Sequence, residues 1–329
     1  MLNQNLKLNT KIFNTDIEKK STRLGFGEGL LVAAIENDKI VGLSADLVES
    51  TKMNLFAEKF PNRYIEVGIA EQNMASVASG MASMGKIPFV SSYAIFNPGR
   101  NWEQIRTTIC YNNMPVKIVS SHSGLSIGPD GGSHQCLEDI AITRVLPNIV
   151  VISPCDEIEA KKATIACAKT NNPTYLRCAR NDTPIITTND TPFEIGKAQI
   201  YYKPEVGLAQ VGVITTGPVL YNALIAAKNL ETEGIKIKVM NLSTIKPLDK
   251  EAVIALAKET KNIVTIEDHQ VIGGMGSAIA ECLSENYPTR IKFIGIKDQF
   301  GQSGKPDELA KYYNIDTDSI IYVIKKSLK

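Results

Sequence analysis

Short runs of β-branched and aliphatic residues recur along this chain, and the stretches between them have helical spacing. KIVGLS, KIPFVSSY, PVKIVSS, NIVVIS and PTYLRC, between Lys39 and Cys178, are apolar on both faces, the pattern of strands covered on both sides. GRNWEQIRTTICYNN, CLEDIAITRVLP and DEIEAKKATIACAKT lie among them and read as helices. Strand and helix in alternation imply a parallel sheet with helices on both faces, an α/β fold. A polar, turn-rich stretch from Arg180 to Gly207 breaks the rhythm and marks a domain boundary. The alternation then resumes with QVGVITTG, the helix PVLYNALIAAKNLETEG, the strand IKIKVMNL and the helix KEAVIALAKETK. NIVTIEDH, GGMGSAIAECLSENY and RIKFIGI complete it. Two successive α/β domains are expected, and 329 residues are enough to give each its own core.

The charge balance narrows the partners. Thirty-six basic and 35 acidic residues leave a net charge of +1, which gives no general attraction to nucleic acid or to a membrane surface. The six cysteines form no CxxC pair and sit mostly in apolar runs, so buried thiols in a reducing compartment are expected rather than disulfides or zinc. The first twenty residues lack the apolar core of a signal peptide, and the expectation is a cytoplasmic protein.

Glu71 is the one acid in a helix of small residues, EQNMASVASGMASMG, whose Met74, Val77, Ala78 and Met81 share a face and whose Gly85 ends it. The spacing aims Glu71 along that apolar face. Two readings are open: it complements the helix dipole, or its partly dry carboxyl shares a proton with a buried nitrogen base. Tyr93 and Phe96 follow the strand KIPFVSSY, where a parallel sheet opens its ligand crevice; they either pack or stack on a flat ring. His122, Asp130 and His134 lie on the glycine-rich loop SSHSGLSIGPDGGSHQ; they either bind a polyhydroxylated or phosphorylated substrate or are surface residues of a polar turn, and they are wrongly spaced for a metal. Arg23, Ser50 and Arg180 together would suit a phosphate dianion. A GxxxxGK[ST] loop is missing, and GGMGSA lacks dinucleotide-fingerprint spacing, so close helix packing is expected there.

GLSADL, RYIEVGIAEQNM, SIGPDGGSHQCLEDIAITRVLPNIVVISPCD and ARNDTP, in that order, resemble the carboxyl-terminal section of the transketolase family from about Lys20 to the end. The resemblance implies an N-terminal extension over 1–19, a thiamine diphosphate-binding fold pyrimidine domain over 20–185, a linker over 186–205 and a transketolase C-terminal α/β domain over 206–329. Glu71 then matches the glutamate that hydrogen-bonds the coenzyme's aminopyrimidine and activates it, and Tyr93 and Phe96 match its aromatic pocket. Asp46 matches a cofactor-pocket aspartate, and Ile69 a residue that supports the bent coenzyme. Arg23, Ser50, His122 and Arg180 match positions that bind the sugar phosphate; Asp130 and His134 match positions that orient the donor hydroxyls. No third ring-stacking residue is assigned after Phe96, although Trp102 is near.

Full transketolases begin with a diphosphate-binding domain, and the matching region here starts at the second domain. The resemblance therefore implies the C-terminal subunit of a two-chain transketolase, inactive alone. Its N-terminal partner subunit would supply the diphosphate site and the ligands for Mg²⁺ or Ca²⁺, in an alpha2beta2 assembly acting on sugar phosphates. The alternatives are the beta subunit of a 2-oxo acid dehydrogenase, a deoxyxylulose phosphate synthase-like enzyme, and a noncatalytic α/β scaffold.

Overall fold

In the computed structural model, which describes residues 1–260 and 262–329, two parallel-rich sheets carry the chain. The first has seven strands in the order Thr244–Lys246, Val150–Ile152, Thr174–Arg177, Lys117–Ser121, Ile87–Tyr93, Ile40–Ser44 and Tyr64–Glu66. Six are parallel, and Thr244–Lys246 closes one edge antiparallel to Val150–Ile152. The second has five strands in the order Arg290–Ile296, Asn262–Gln270, Val211–Thr215, Ile237–Asn241 and the antiparallel edge Gln199–Tyr202. The α/β architecture expected from the alternation is present in both halves. The edge strand Thr244–Lys246 crosses from the second half of the chain to the first sheet, so the halves are joined by pairing as well as by packing.

The central strands lie under helices on both faces, which explains their continuous apolar runs. Ile40–Ser44, Lys117–Ser121 and Val211–Thr215 are buried at every position. Lys117 is the exception in chemistry: its ammonium is held by the Thr170 and Asn172 carbonyls and the Thr170 hydroxyl, and burial pushes its pKa down to about 8.

Several elements differ from the sequence expectation. Helix Thr22–Glu36, not foreseen, carries Gly25, Gly27 and Gly29, which lower helix propensity. Packing overrides that cost, because Gly25 and Gly29 face helix Glu157–Ala168. A Cβ at Gly25 would collide with the Glu157 carbonyl, and one at Gly29 would sit 2.6 Å from the Lys161 carbonyl oxygen. The expected helix over 99–113 is shorter, running from Trp102 to Gln104 and on as a π-helix over Ile105–Cys110; the one over 136–147 shrinks to Asp139–Arg144. The turn-rich stretch 180–207 holds two strands, Asp182–Pro184 paired with Lys19–Ser21 and the edge strand Gln199–Tyr202. Of the helix expected over 250–261, Lys250–Thr260 is observed and Lys261 lies outside the described residues.

The segment over 1–19 packs against the second sheet: Leu6 and Ile12 are buried with Tyr201 and Tyr202, and Leu2 bridges Tyr202. All six cysteines are free and buried. The GGMGSA segment packs as expected, with a Cβ at Gly276 landing 2.7 Å from Thr265 Oγ1. The amides of Met275 and Gly276 at the start of helix Met275–Asn286 both donate to the buried Glu267 carboxylate, which fills the place an anion would take. Among the described residues no helix is long and apolar enough to cross a membrane.

Candidate active site

From Ile40–Ser44 the first sheet grows one way to Tyr64–Glu66 and the other way to Ile87–Tyr93. Such a reversal opens a crevice beyond the carboxyl ends of the strands. The candidate residues gather on that edge. Asp46 and Ser50 follow Ser44, Ile69 and Glu71 follow Glu66, Phe96 follows Tyr93, His122 to His134 follow Ser121, and Arg180 follows Arg177. Arg23 reaches the same edge from the first turn of helix Thr22–Glu36.

Glu71, the first residue of helix Glu71–Ser83, is 1 % exposed, so the inward aim read from its spacing is what the fold produces. Its Oε1 accepts from the Ser92 hydroxyl at 3.2 Å and its Oε2 from Arg100 Nη1 at 2.7 Å. Asn101 Nδ2 donates to the Glu71 carbonyl and fixes the start of the helix. Tyr93 and Phe96 lie nearly parallel with centroids 6.0 Å apart. The Arg100 guanidinium covers the Phe96 ring at 4.5 Å, and His134 meets that ring edge-on at 5.7 Å.

Tyr93 also leads to the cationic residues. His122 stacks on it at 3.7 Å, and Arg23 Nη1 stands 3.5 Å from His122 Nε2. Arg23 only donates, so Nε2 accepts and Nδ1–H donates to the Ser121 hydroxyl at 2.7 Å, which makes the ring neutral. Burial, with Arg23, Arg180 and His134 nearby, pushes the His122 pKa down to about 3. Arg23 is anchored on the Ser50 carbonyl at 2.7 Å, while its Nε is buried without a partner among the described residues. Arg180 Nη1 donates to the Ile127 carbonyl at 2.7 Å. Glu71, Tyr93, Phe96, His122, His134, Arg23 and the Ser50 backbone thus form one connected set, with Arg180 beside it.

Three candidates stand outside these contacts. Asp130 is exposed at the tip of the glycine loop, and its carboxylate makes no hydrogen bond among the described residues. Ile69 is 74 % exposed. Asp46 is exposed, and its amide donates to Glu66 Oε1, as does the amide of Gly68 in the turn before Ile69. Asp46 and His122 both have left-handed backbones, at φ 58° and 59°. Trp102 donates its indole N–H to the Ile142 carbonyl at 2.6 Å and is thereby tied to helix Asp139–Arg144.

The second domain clamps the glycine loop. Gly128, Gly131 and Gly132 face Gly304, Ser303 and Gly301, and a Cβ at Gly132 would run into the Gly301 carbonyl. Gln135 Nε2 donates to the Gln302 carbonyl at 3.1 Å. Below the loop, Asp139 accepts from Arg177 Nε and Tyr175 Oη at 2.7 and 2.6 Å, and Arg177 Nη2 donates to the Asp268 carbonyl. His269 Nε2 accepts the amides of Ile140 and Ala141. Burial alone would raise the Asp139 pKa, but Arg177, with His269 and Tyr175, holds it below the usual range. Sequence reasoning missed this seam and missed Arg100; an arginine within the buried strand PTYLRC was the one signal of the former.

The Phe96 face beside the buried carboxylate already holds one planar nitrogen group, the Arg100 guanidinium, and such a place suits a planar nitrogen heterocycle. The residues present therefore fit the aminopyrimidine half of thiamine diphosphate. Among the described residues no group of three or more His, Cys, Asp or Glu side chains is placed to hold a metal ion.

Comparison with known proteins agrees with this geometry. Residues 18–185 match the family model "Transketolase, pyrimidine binding domain" and residues 203–320 match "Transketolase, C-terminal domain". A Methanocaldococcus jannaschii protein named as a transketolase C-terminal section is 43 % identical over 314 residues, 94 % of this chain and 97 % of that protein. A 6-deoxy-6-sulfo-D-fructose transketolase subunit from a Clostridium species is 36 % identical, covering 94 % and 95 %. Among solved structures, a split-gene transketolase described as an inactive beta4 tetramer superposes with a TM-score of 0.86 at 40 % identity, covering 94 % of this chain and 98 % of that one. The transketolase family depends on thiamine diphosphate. This chain belongs to the transketolase family and carries its pyrimidine-binding and C-terminal domains.

Proposed function

We propose that this chain is the C-terminal subunit of a two-chain transketolase, moving a two-carbon ketol unit from a ketose phosphate to an aldose phosphate. The observation that carries the reading is the buried Glu71 carboxylate beside the Phe96 ring, one ring away from the Arg23, His122 and Arg180 set. Full-length agreement with a protein named as a C-terminal section supports a partner that supplies the rest of the site. That N-terminal subunit is assigned the diphosphate and the ligands for Mg²⁺ or Ca²⁺, and the assembly is taken as alpha2beta2.

Bound thiamine diphosphate supplies an electron sink for cleaving and forming the carbon–carbon bond next to a carbonyl. In this chain Glu71 holds the proton shared with the ring nitrogen, in a site dry enough to make that hydrogen bond count. Tyr93 and Phe96 orient the ring by stacking, and Asp46 and Ile69 line the coenzyme pocket. Arg23 and Arg180 offset the negative end of the sugar. Ser50 completes that end, and neutral His122, whose Nε2 accepts from Arg23, holds that guanidinium in place. His134 and Asp130 orient the donor hydroxyls, which places the reacting carbons and lets a proton move at the hydroxyl oxygen. Any tetrahedral oxyanion meets these donors, so a sulfonate-ended sugar, as in the name of the Clostridium relative, is a second donor to assay.

The test is reconstitution with the N-terminal subunit, thiamine diphosphate and Mg²⁺, with ketol transfer read on xylulose 5-phosphate and on 6-deoxy-6-sulfofructose. Transfer on either is expected, with Glu71→Gln lowering kcat by at least about a hundredfold, the usual scale of a positioned acid–base group. An intact complex that transfers from no ketose, or that prefers pyruvate or another 2-oxo acid as donor, would overturn the proposal.

A further inference from the structure

Arg100 is held by the two groups that the preceding reading gives to the coenzyme ring. Its Nη1 donates to Glu71 Oε2 at 2.7 Å, and its Cζ lies 4.5 Å from the Phe96 centroid. A guanidinium and an aminopyrimidine are alike in the features that matter here. Both are flat and delocalised, both present N–H groups in their plane to a carboxylate, and both stack on an aromatic face. The place between that oxygen and that ring face takes one planar group at a time.

There is a physical need for such a group when the coenzyme is absent. Glu71 is 1 % exposed, and the Ser92 hydroxyl is its other side-chain partner, so an unpaired carboxylate there would be costly. Arg100 answers that need from a position that adjoins solvent. Its backbone amide donates to the Phe96 carbonyl, and its side chain is 44 % exposed.

We propose that Arg100 is a further residue of the pyrimidine pocket, whose guanidinium holds the ring's place between Glu71 and Phe96 and is displaced by the ring as the coenzyme enters. The inference rests on the assignment of Glu71 and Phe96 to the coenzyme. It follows that the free carboxylate face is populated only part of the time, and the apparent affinity for coenzyme falls by that fraction. A pocket open one time in ten binds tenfold more weakly than its intrinsic affinity.

Two readouts test this in the assembled two-chain complex, and neither is activity. The first is the Kd of thiamine diphosphate with Mg²⁺, by calorimetry, for the unmodified protein and for Arg100→Met. The inference expects Arg100→Met to bind about tenfold more tightly. Arg100→Lys, which keeps the ion pair and loses the planar stack, should fall between and serves if the Met variant folds poorly. The second is modification of Arg100 by phenylglyoxal, followed by mass spectrometry, with no substitution at all. Coenzyme at saturation should make Arg100 more reactive, because its guanidinium moves into solvent. Equal or weaker binding by both variants, or an Arg100 that becomes no more reactive, overturns the inference. If Glu71→Gln still weakens binding in that case, the pyrimidine-site reading stands without it. If Glu71→Gln has no effect on binding, the reading falls and takes the inference with it.

Discussion

Asp139→Asn should destabilise the chain by about 3–5 kcal/mol, the usual result of removing one partner from a buried ion pair. Asp139 is 0 % and Arg177 4 % exposed, so water cannot rescue the guanidinium that the substitution leaves behind. Asn keeps the size of Asp, which rules out a cavity as the cause. It also weakens the acceptor for Tyr175 Oη and leaves Arg177 with the Asp268 carbonyl as its remaining partner. At roughly 2–4 °C per kcal/mol for chains a little smaller than this one, the melting temperature should fall by about 10 °C. Adding Arg177→Met removes the stranded cation, so the double variant should be at least about 2 kcal/mol better than the sum of the single losses. Urea unfolding of the four proteins at pH 7 measures both quantities. A single-variant loss under about 1 kcal/mol, or simple additivity, would refute the claim that this pair is dry and coupled.

Acid should weaken the fold through its histidines, against Glu267 beside His269, which burial pushes up to about 8 and which works in the opposite sense as pH falls from there. Burial pushes His269 down to about 4, with Arg177 adding to that and Asp139 opposing it, so the native ring stays neutral while the unfolded ring takes a proton near 6.5. A depressed histidine contributes fully above the unfolded pKa, and stability is lost as pH falls from about 6.5 toward 4, by about 1.4 kcal/mol per unit for one proton. His122 adds a second proton over the same window; unfolding followed against pH should show the slope, and His122→Asn, which tolerates the left-handed backbone, should remove about half of the histidine contribution. Gly132→Ala would press a methyl against the Gly301 carbonyl, an overpacking of about 1–3 kcal/mol that shifts the loop carrying Asp130 and His134. It should raise KM for the donor sugar about tenfold while leaving coenzyme affinity unchanged; an unaltered KM would show that the second domain does not set the loop's position.

Much of the fold was legible because buried parallel strands are written as unbroken apolar runs, and Ile40–Ser44 or Lys117–Ser121 has no competing pattern. Glu71 stood out because a lone acid on an apolar helix face has few structural explanations. Helix Thr22–Glu36 did not stand out, since Gly25 and Gly29 are there for contact with a helix more than a hundred residues away in sequence. Edge strands such as Gln199–Tyr202 are short and buried at only two of four positions, and they resemble the turns around them. Arg100 carries no periodic signal: its importance comes from meeting Glu71 and Phe96 in space. The Asp139, Arg177 and His269 seam was hidden for the same reason, because its members come from three separate elements. Trp102, placed near the expected ring pocket by sequence distance alone, turns instead toward Ile142.

The central claim is that this chain holds the ring half of thiamine diphosphate and a partner subunit holds the diphosphate. Calorimetric titration of thiamine diphosphate with Mg²⁺ into this chain alone, and into its mixture with the N-terminal subunit, tests that division directly. Tight binding only in the mixture, lost with Glu71→Gln, is the predicted result. Tight binding by this chain alone, or binding in the mixture that ignores Glu71, would contradict it.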